Sequence, residues 1–183
     1  DFLDGSPSIL VLGDNLFFGH GLPELLATAD SNNGATIFAY QVSNPKSYGV
    51  VGYDQDGLVH SIEEKPEKPA SDHAITGLYF FDGNAPRLAK NIQPSSRGEL
   101  EITSLLEIYL NKNSLNVELM GRGFAWLDTG TCSDLLEAGN FVRTIEERQG
   151  LQVSNLEEIA YRNGWISKKF IEDQAKKYIK NSY

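Results

Sequence analysis

The first block of hydrophobic positions is unbroken: Ile9-Leu10-Val11-Leu12. A run so short and so continuously apolar predicts a strand buried on both faces. "GLPELLATADSNNG" follows and predicts a helix, with Pro23 near its first turn and the polar "SNNG" as its stop. "ATIFAYQV", residues 35–42, predicts a second buried strand. Strand, helix, strand in that order suggests a βαβ unit and a parallel sheet. Ligands of such sheets bind beyond the carboxyl ends of the strands, and Asp14 stands at one of those ends.

The pattern then shifts towards antiparallel pairing. "YGVVGYD" and "LVHSIEEKP" flank "QDG", which predicts a hairpin loop with Gly57 at positive φ. "ITGLYFFDG" (75–83) predicts a further strand. "GELEITSLLEIYL" (98–110) predicts an amphipathic helix, with Ile102, Leu105, Leu106 and Tyr109 on its apolar face. "NVELMGRGFAWLDTGT" (116–131) is strand-like with a glycine interruption, and alternation puts Phe124, Trp126 and Asp128 on one face. "SDLLEAGNFVRTIEERQ" predicts a long helix closed by Gly150. Ser154 and Glu157 form a capping-box pattern before "NLEEIAYRN", and Ser167 is placed to cap "KKFIEDQAKKYIK".

Composition narrows the function classes. The 183 residues suffice for one domain with a real core, and 40% hydrophobic with 22% charged residues fits a globular protein. No apolar stretch approaches the roughly 18 residues a membrane span needs, and there is no signal-peptide pattern. The net charge of −9 disfavours nucleic acid and anionic membranes as partners. It leaves room for a small anionic substrate held by local lysines and a divalent cation. A single cysteine, Cys132, rules out an internal disulfide and suits a cytoplasmic location. The chain has neither G-x-x-x-x-G-K-[ST] nor G-x-G-x-x-G.

The candidate chemistry centres on Asp14 and Asp128, each ending an apolar strand and followed by Asn15 or Thr129. Mg²⁺ is typically held by one or two carboxylates together with phosphates and water, so the two could share an ion. Each could equally cap the turn that follows it. In "SIEEKP", Glu64 and Lys65 would point to opposite strand faces, one towards sugar hydroxyls and one towards a phosphate, or form a solvated strand end stopped by Pro66. Gly49 in "YGVV" marks either a close backbone approach or a simple turn. Arg97-Gly98-Glu99 would open a helix, where anions can bind, although acidic residues also suit that position. His20, His60 and His73 lack metal-ligand spacing, Cys132 lacks a paired histidine, and Trp126 fits either a core or a sugar site.

Five segments taken in order carry a resemblance: "LVLGDNLFFGHGL", "FAYQVSNPKSYGVVGYD", "EEKPEKPASDHAITGLYFFD", "SSRGELEITSLLEIY" and "MGRGFAWLDTGT". Together they resemble the glucose-1-phosphate thymidylyltransferases, or dTDP-glucose pyrophosphorylases, from about residue 8 to the C-terminus. The resemblance implies a Rossmann-like α/β nucleotide-diphospho-sugar transferase fold, a mixed sheet flanked by helices. In a single domain, residues 1–47 would be the remainder of the core, 48–131 the sugar-binding region and metal-bearing strand, and 132–183 C-terminal helices. It implies that dTTP and glucose 1-phosphate are joined to give dTDP-glucose and pyrophosphate with Mg²⁺, in dTDP-rhamnose and surface-polysaccharide precursor synthesis. By the same resemblance Asp14 and Asp128 are the Mg²⁺ ligands, with Lys65 the third catalytic group. Asn15, Tyr48, Gly49, Glu64, Lys65, Ile75 and Trp126 would contact substrate, with Arg97 a weaker carry-over. A regulatory nucleotide site between subunits would use Gly19, His20, Gly121, Arg122, Glu158, Ile159 and Arg162, and the assembly would be a homotetramer.

The departures set further expectations. The family's N-terminal "GGxGTRLxP" loop, its following lysine and its base-recognising segment have no counterpart in this sequence. The expectation is therefore a fragment of a longer enzyme, truncated at the N-terminus of its fold and inactive alone. Ile75 replaces a usual valine, Ser104 an aspartate, Cys132 a histidine and Gly52 a glutamate. Two rival readings stay open: a UDP- or ADP-glucose pyrophosphorylase, or a non-catalytic sugar-nucleotide-binding module.

Overall fold

The computed structural model describes residues 2–177. The chain divides into two compact units, Asp1–Thr131 and Cys132–Tyr183. The first contains, in order, β1 (Ser8–Val11), β2 (Asn15–Gly19), α1 (Leu22–Ser31), β3 (Ala35–Gln41), β4 (Gly49–Tyr53), β5 (Val59–Glu64), β6 (His73–Phe81), α2 (Ala85–Ala89), α3 (Ile102–Asn111), β7 (Leu115–Met120) and β8 (Phe124–Asp128).

Six strands form a mixed sheet in the order β5-β4-β6-β3-β7, with β1 also paired to β6. β6 is the central strand and runs antiparallel to β1, β3 and β4, while β7 runs parallel to β3. The βαβ expectation is thus corrected. β1 and β3 run in the same direction, joined through α1, but the antiparallel β6 lies between them, so the two never pair. The nine residues of β6 read as one apolar run because helices or strands cover both of its faces.

Parity along the strands sorts the core into two clusters. Ala35, Ile37 and Ala39 on β3 and Ile75, Tyr79 and Phe81 on β6 pack with Leu88, Leu105, Leu106 and Tyr109 from α2 and α3. Phe38, Leu78 and Phe80 point to the other face, with Ala29 of α1, Met120, and the rings of Phe17 and Phe124 from β2 and β8. α3 buries Thr103, Leu105, Leu106 and Tyr109, close to the expected face, but starts at Ile102 rather than residue 98. Gly98 has φ +78, and the turn it makes between Ser95 and Glu99 keeps the helix from opening there.

β1 departs most from expectation. Ile9 and Val11 are 56% and 54% exposed, so this strand is not buried on both faces. β6 pairs with one of its edges, and its side chains are left partly open. The hairpin between β4 and β5 is as expected, with Gly57 at φ +79.

The second unit is helical: α4 (Cys132–Gln149), α5 (Leu156–Arg162) and α6 (Lys168–Ala175). Gly150 closes α4 at φ +68. The expected Ser154/Glu157 box does not form. Ser154 has φ +57, whereas an N-cap needs an extended backbone, so Asn155 caps α5 by accepting from the Glu158 N–H at 2.8 Å. Ser167 caps α6 through the Phe170 N–H, and the last part of that predicted helix, 178–180, lies outside the described residues.

Gly34 supplies a test of the fold. It links α1 to β3 at φ +86, and a Cβ there would collide with the Ser114 carbonyl oxygen. Gly34→Ala should cost about 2 kcal/mol or more, combining backbone strain with the collision. Urea denaturation should show a lower midpoint with an unchanged slope.

Candidate functional site

β1 leaves the sheet at Leu12, and the chain turns through Gly13 and Asp14 into β2. The sequence pattern missed β2; its five residues, "NLFFG", sit between the Asp14 turn and "HGLPE" and looked too short to separate from either. β2 pairs antiparallel with β8, with Asn15 opposite Asp128, Phe17 opposite Trp126 and Gly19 opposite Phe124. The Thr129 N–H and hydroxyl both donate to the Asp14 carbonyl, at 2.7 and 2.9 Å. This ladder sets Asp14 and Asp128 on neighbouring strand ends although more than a hundred residues separate them.

A cavity of about 220 Å³ opens at that point. Asp14, Asn15, Tyr48, Gly49, Glu64, Lys65, Ile75, Trp126 and Asp128 all line it, so of the expected metal, substrate and catalytic positions the structure brings together all but the weaker carry-over, Arg97. Gly49 sits in close quarters. A Cβ there would press on Thr103, Ile75 and Glu64 at 3.1–3.5 Å. Trp126 packs against Tyr48 with ring centroids 5.1 Å apart and edge-on to Tyr40 at 6.1 Å, making an aromatic wall. Aromatic faces of this kind suit the C–H faces of a sugar.

Glu64 and Lys65 correct the expectation of opposite faces, since both line the cavity. Lys65 has φ +41, and its N–H is tied to the Tyr48 carbonyl at 3.0 Å. The left-handed turn before Pro66 breaks the strand's alternation and brings the lysine round to the side of Glu64.

Arg97 is also corrected. It lies in a turn rather than at a helix start, and its guanidinium pairs with Glu99 at 2.9 Å, Glu101 at 3.5 Å and Glu64 at 3.6 Å. Burial, and secondly the charge of Glu101, push the Glu64 carboxyl above its ordinary range. Thr103, Lys65 and Arg97 oppose that shift. Tyr79 is pushed up to about 12, chiefly by burial and then by Glu64, so it stays a phenol at neutral pH. Glu101, Thr103, Gly77 and Tyr79 line the cavity as well. Sequence reasoning had Thr103 inside an amphipathic helix and no signal for the others, because their roles depend on β6 and α3 meeting at the cavity.

Asp14 and Asp128 give two carboxylates, and among the described residues no group of three or more His, Cys, Asp and Glu is placed to hold a metal. Two carboxylates suit an ion such as Mg²⁺ that fills its shell with substrate phosphate and water. They would not suit a closed structural zinc site.

The positions carried by resemblance to a regulatory site fall in both units. In the first, Gly19 pairs with Phe124, whose N–H bonds to the Gly121 carbonyl at 3.0 Å, so Gly19, His20, Gly121 and Arg122 cluster at one end of the β2–β8 ladder. In the second, Glu158 pairs with Arg162 at 2.6 Å along α5, which also carries Ile159.

A family model for nucleotidyl transferases matches residues 1–145. The chain belongs to the nucleotidyl transferase family. It is 54% identical over its whole length to a glucose-1-phosphate thymidylyltransferase of Xanthomonas campestris pv. campestris, covering 62% of that protein. It is 48% identical over 98% of its length to one of Mycobacterium tuberculosis, again covering 62%. The chain therefore spans somewhat less than two thirds of the length of these curated relatives. A Bacillus anthracis chain assigned as a glucose-1-phosphate thymidylyltransferase and crystallised with a sucrose is similar at TM-score 0.67 and 32% identity, over 78% of this chain and 56% of that one. UDP-glucose pyrophosphorylase complexed with UDP-glucose reaches TM-score 0.67 at 19% identity over 78% of this chain and 58% of its own, a likeness of fold alone. Both support the α/β reading with a mixed sheet flanked by helices.

The raised Glu64 sets a pH test. A carboxyl whose folded pKa exceeds its unfolded value adds stability while protonated and loses it as pH rises through the folded pKa. Glu64→Gln should therefore melt above wild type at pH 7, with the gap closing below the ordinary value of 4.5. Thermal melts across pH 3–8 check this.

Proposed function

We propose that this nucleotidyl transferase chain carries the metal- and sugar-phosphate-binding half of a thymidylyltransferase site. In that site dTTP and glucose 1-phosphate give dTDP-glucose and pyrophosphate. The observation that supports it best is the single cavity lined by Asp14, Tyr48, Gly49, Glu64, Lys65, Trp126 and Asp128. The curated relatives named for this activity add to it.

The residues divide the work by their chemistry. Trp126 and Tyr48 present ring faces to the sugar, and Glu64 accepts hydrogen bonds from its hydroxyls. Lys65 sets a cation against the sugar phosphate, which holds the attacking oxygen in place and offsets its charge. Asp14 and Asp128 would hold Mg²⁺, which supplies charge neutralisation at the phosphates when bound. No side chain has to form a covalent bond, because the phosphate oxygen of one substrate attacks the phosphorus of the other directly. The family's "GGxGTRLxP" loop is absent from the sequence, so we expect this chain alone to bind without turnover. A role in dTDP-rhamnose and surface-polysaccharide precursor synthesis, a cytoplasmic location and assembly as a homotetramer are part of the same reading, supported by the resemblance. Among the described residues no helix is long and apolar enough to cross a membrane.

Titration calorimetry should show the 183-residue chain binding glucose 1-phosphate in the presence of Mg²⁺. Lys65→Ala should weaken that binding about tenfold, the scale of losing one charge-assisted contact. Pyrophosphate release should be absent with dTTP, UTP and ATP. In a longer polypeptide that carries the loop, Asp14→Asn should cut dTTP-dependent release about a hundredfold. No binding of the sugar phosphate, or release with UTP in preference to dTTP, would overturn the reading.

A further inference from the structure

Asn15 was expected beside the metal as a substrate contact, yet its amide is already engaged on both sides. Its Oδ1 accepts from the Trp126 indole Nε1–H at 2.6 Å and from the Gly77 N–H at 3.0 Å. Its Nδ2 donates to the Asp14 Oδ1 at 2.9 Å. The orientation of this amide follows from chemistry. An indole N–H and a peptide N–H can only donate, so the amide oxygen must face them and the NH₂ must face the carboxylate.

The departure of β1 from the sheet explains why the bond to Gly77 exists. The Leu12 N–H donates to the Gly77 carbonyl at 2.8 Å. In a regular antiparallel pair the return bond would run from the Gly77 N–H to the Leu12 carbonyl. Here the Leu12 carbonyl takes the Asn15 N–H at 3.2 Å instead, and the side chain of Asn15 fills the place in the ladder. Room for it comes from Gly77, where a Cβ would fall 2.6–2.8 Å from the Asn15 amide. On the other side of β6 the pairing jumps from Ile37 opposite Tyr79 to Ala39 opposite Ile75, an irregularity at the same level.

We infer that Asn15 is a positioning residue that couples the aromatic wall of the sugar pocket to the metal-bearing carboxylate. The amide is pinned to the rigid central strand by Gly77. Through its two ends it fixes the Trp126 indole and the rotamer of Asp14 together. A shift of the Asp14 carboxylate on taking a cation is passed to the indole N–H, and by linkage a shift of the indole changes the carboxylate's affinity. This rests on Asp14 being a Mg²⁺ ligand, as proposed above.

The test is a Mg²⁺ titration of the 183-residue chain followed by ¹⁵N–¹H spectroscopy. Two tryptophans give two indole signals, and the exposed Trp165 serves as the internal reference. In wild type the Trp126 indole signal should exchange slowly with solvent and move with Mg²⁺ in step with the amides near Asp14 and Asp128, while Trp165 stays still. In Asn15→Ala the Trp126 signal should lose its protection and its response to Mg²⁺. The apparent Mg²⁺ affinity should fall about tenfold, as for other groups that orient a metal ligand. The wild-type titration decides the matter even if the variant does not fold. Movement of the amides near Asp14 and Asp128 with the Trp126 indole unmoved overturns the coupling and leaves the metal reading standing. Movement of neither overturns both. An unchanged response in a folded Asn15→Ala overturns the coupling.

Discussion

The short antiparallel ladder between β2 and β8 is the interaction on which the site depends. Five Cα pairs, from Asn15 opposite Asp128 to Gly19 opposite Phe124, join a strand near the start of the chain to the last strand among the described residues. Without that pairing Asp14 and Asp128 would be two unrelated caps. With it, a carbonyl of one end accepts from Thr129 of the other, and the two carboxylates sit at the mouth of one cavity. The ladder is held against the main sheet by Phe17 and Phe124, which join the cluster around Phe38, Leu78 and Phe80. Burial of those rings is therefore tied to the geometry of the charged groups.

The main sheet contributes rigidity at the other wall. β6 is covered on both faces, and the hairpin of its neighbour β4 with β5 delivers Gly49, Glu64 and Lys65. Two local features do the final placing. Lys65 takes a left-handed backbone that turns its side chain to the cavity, and Gly77 lacks the Cβ that would push Asn15 aside. A left-handed backbone at Lys65 costs stability and persists where the surrounding structure fixes it. The acidic belt of Glu64, Glu99 and Glu101 around Arg97 belongs to the same economy, since the burial that raises the Glu64 carboxyl is tempered by the guanidinium beside it.

Much of the secondary structure could be read from the chain because single-residue chemistry decides it. Gly57 turns the β4–β5 hairpin, Gly150 ends α4, and Ser167 caps α6, each by a local rule. The errors arose where a non-local contact or a single backbone torsion overrode the pattern. Ile9–Leu12 has the composition of a doubly buried strand, but its exposure depends on what lies against it. Ser154 fits a capping box, yet its positive φ passes the cap to Asn155. Arg97 was expected at a helix start, and the turn at Gly98 with three carboxylates close in space makes it part of an ion-pair cluster before the helix.

The amino-acid sequence by itself determined the types of chemistry available: two strand-ending aspartates, a Glu-Lys pair before a proline, and an aromatic two residues ahead of Asp128. Those identities follow from residue type and short spacing, and the likeness to the thymidylyltransferases rests on the same segments. Only the tertiary structure decided that they form one site, that Glu64 and Lys65 share a side, and that Asn15 joins Trp126 to Asp14. The reason is physical. Periodicity reports which face of an element a residue occupies, whereas the meeting of β2 with β8, and of both with β6, is set by strand pairing and packing between segments far apart in the chain.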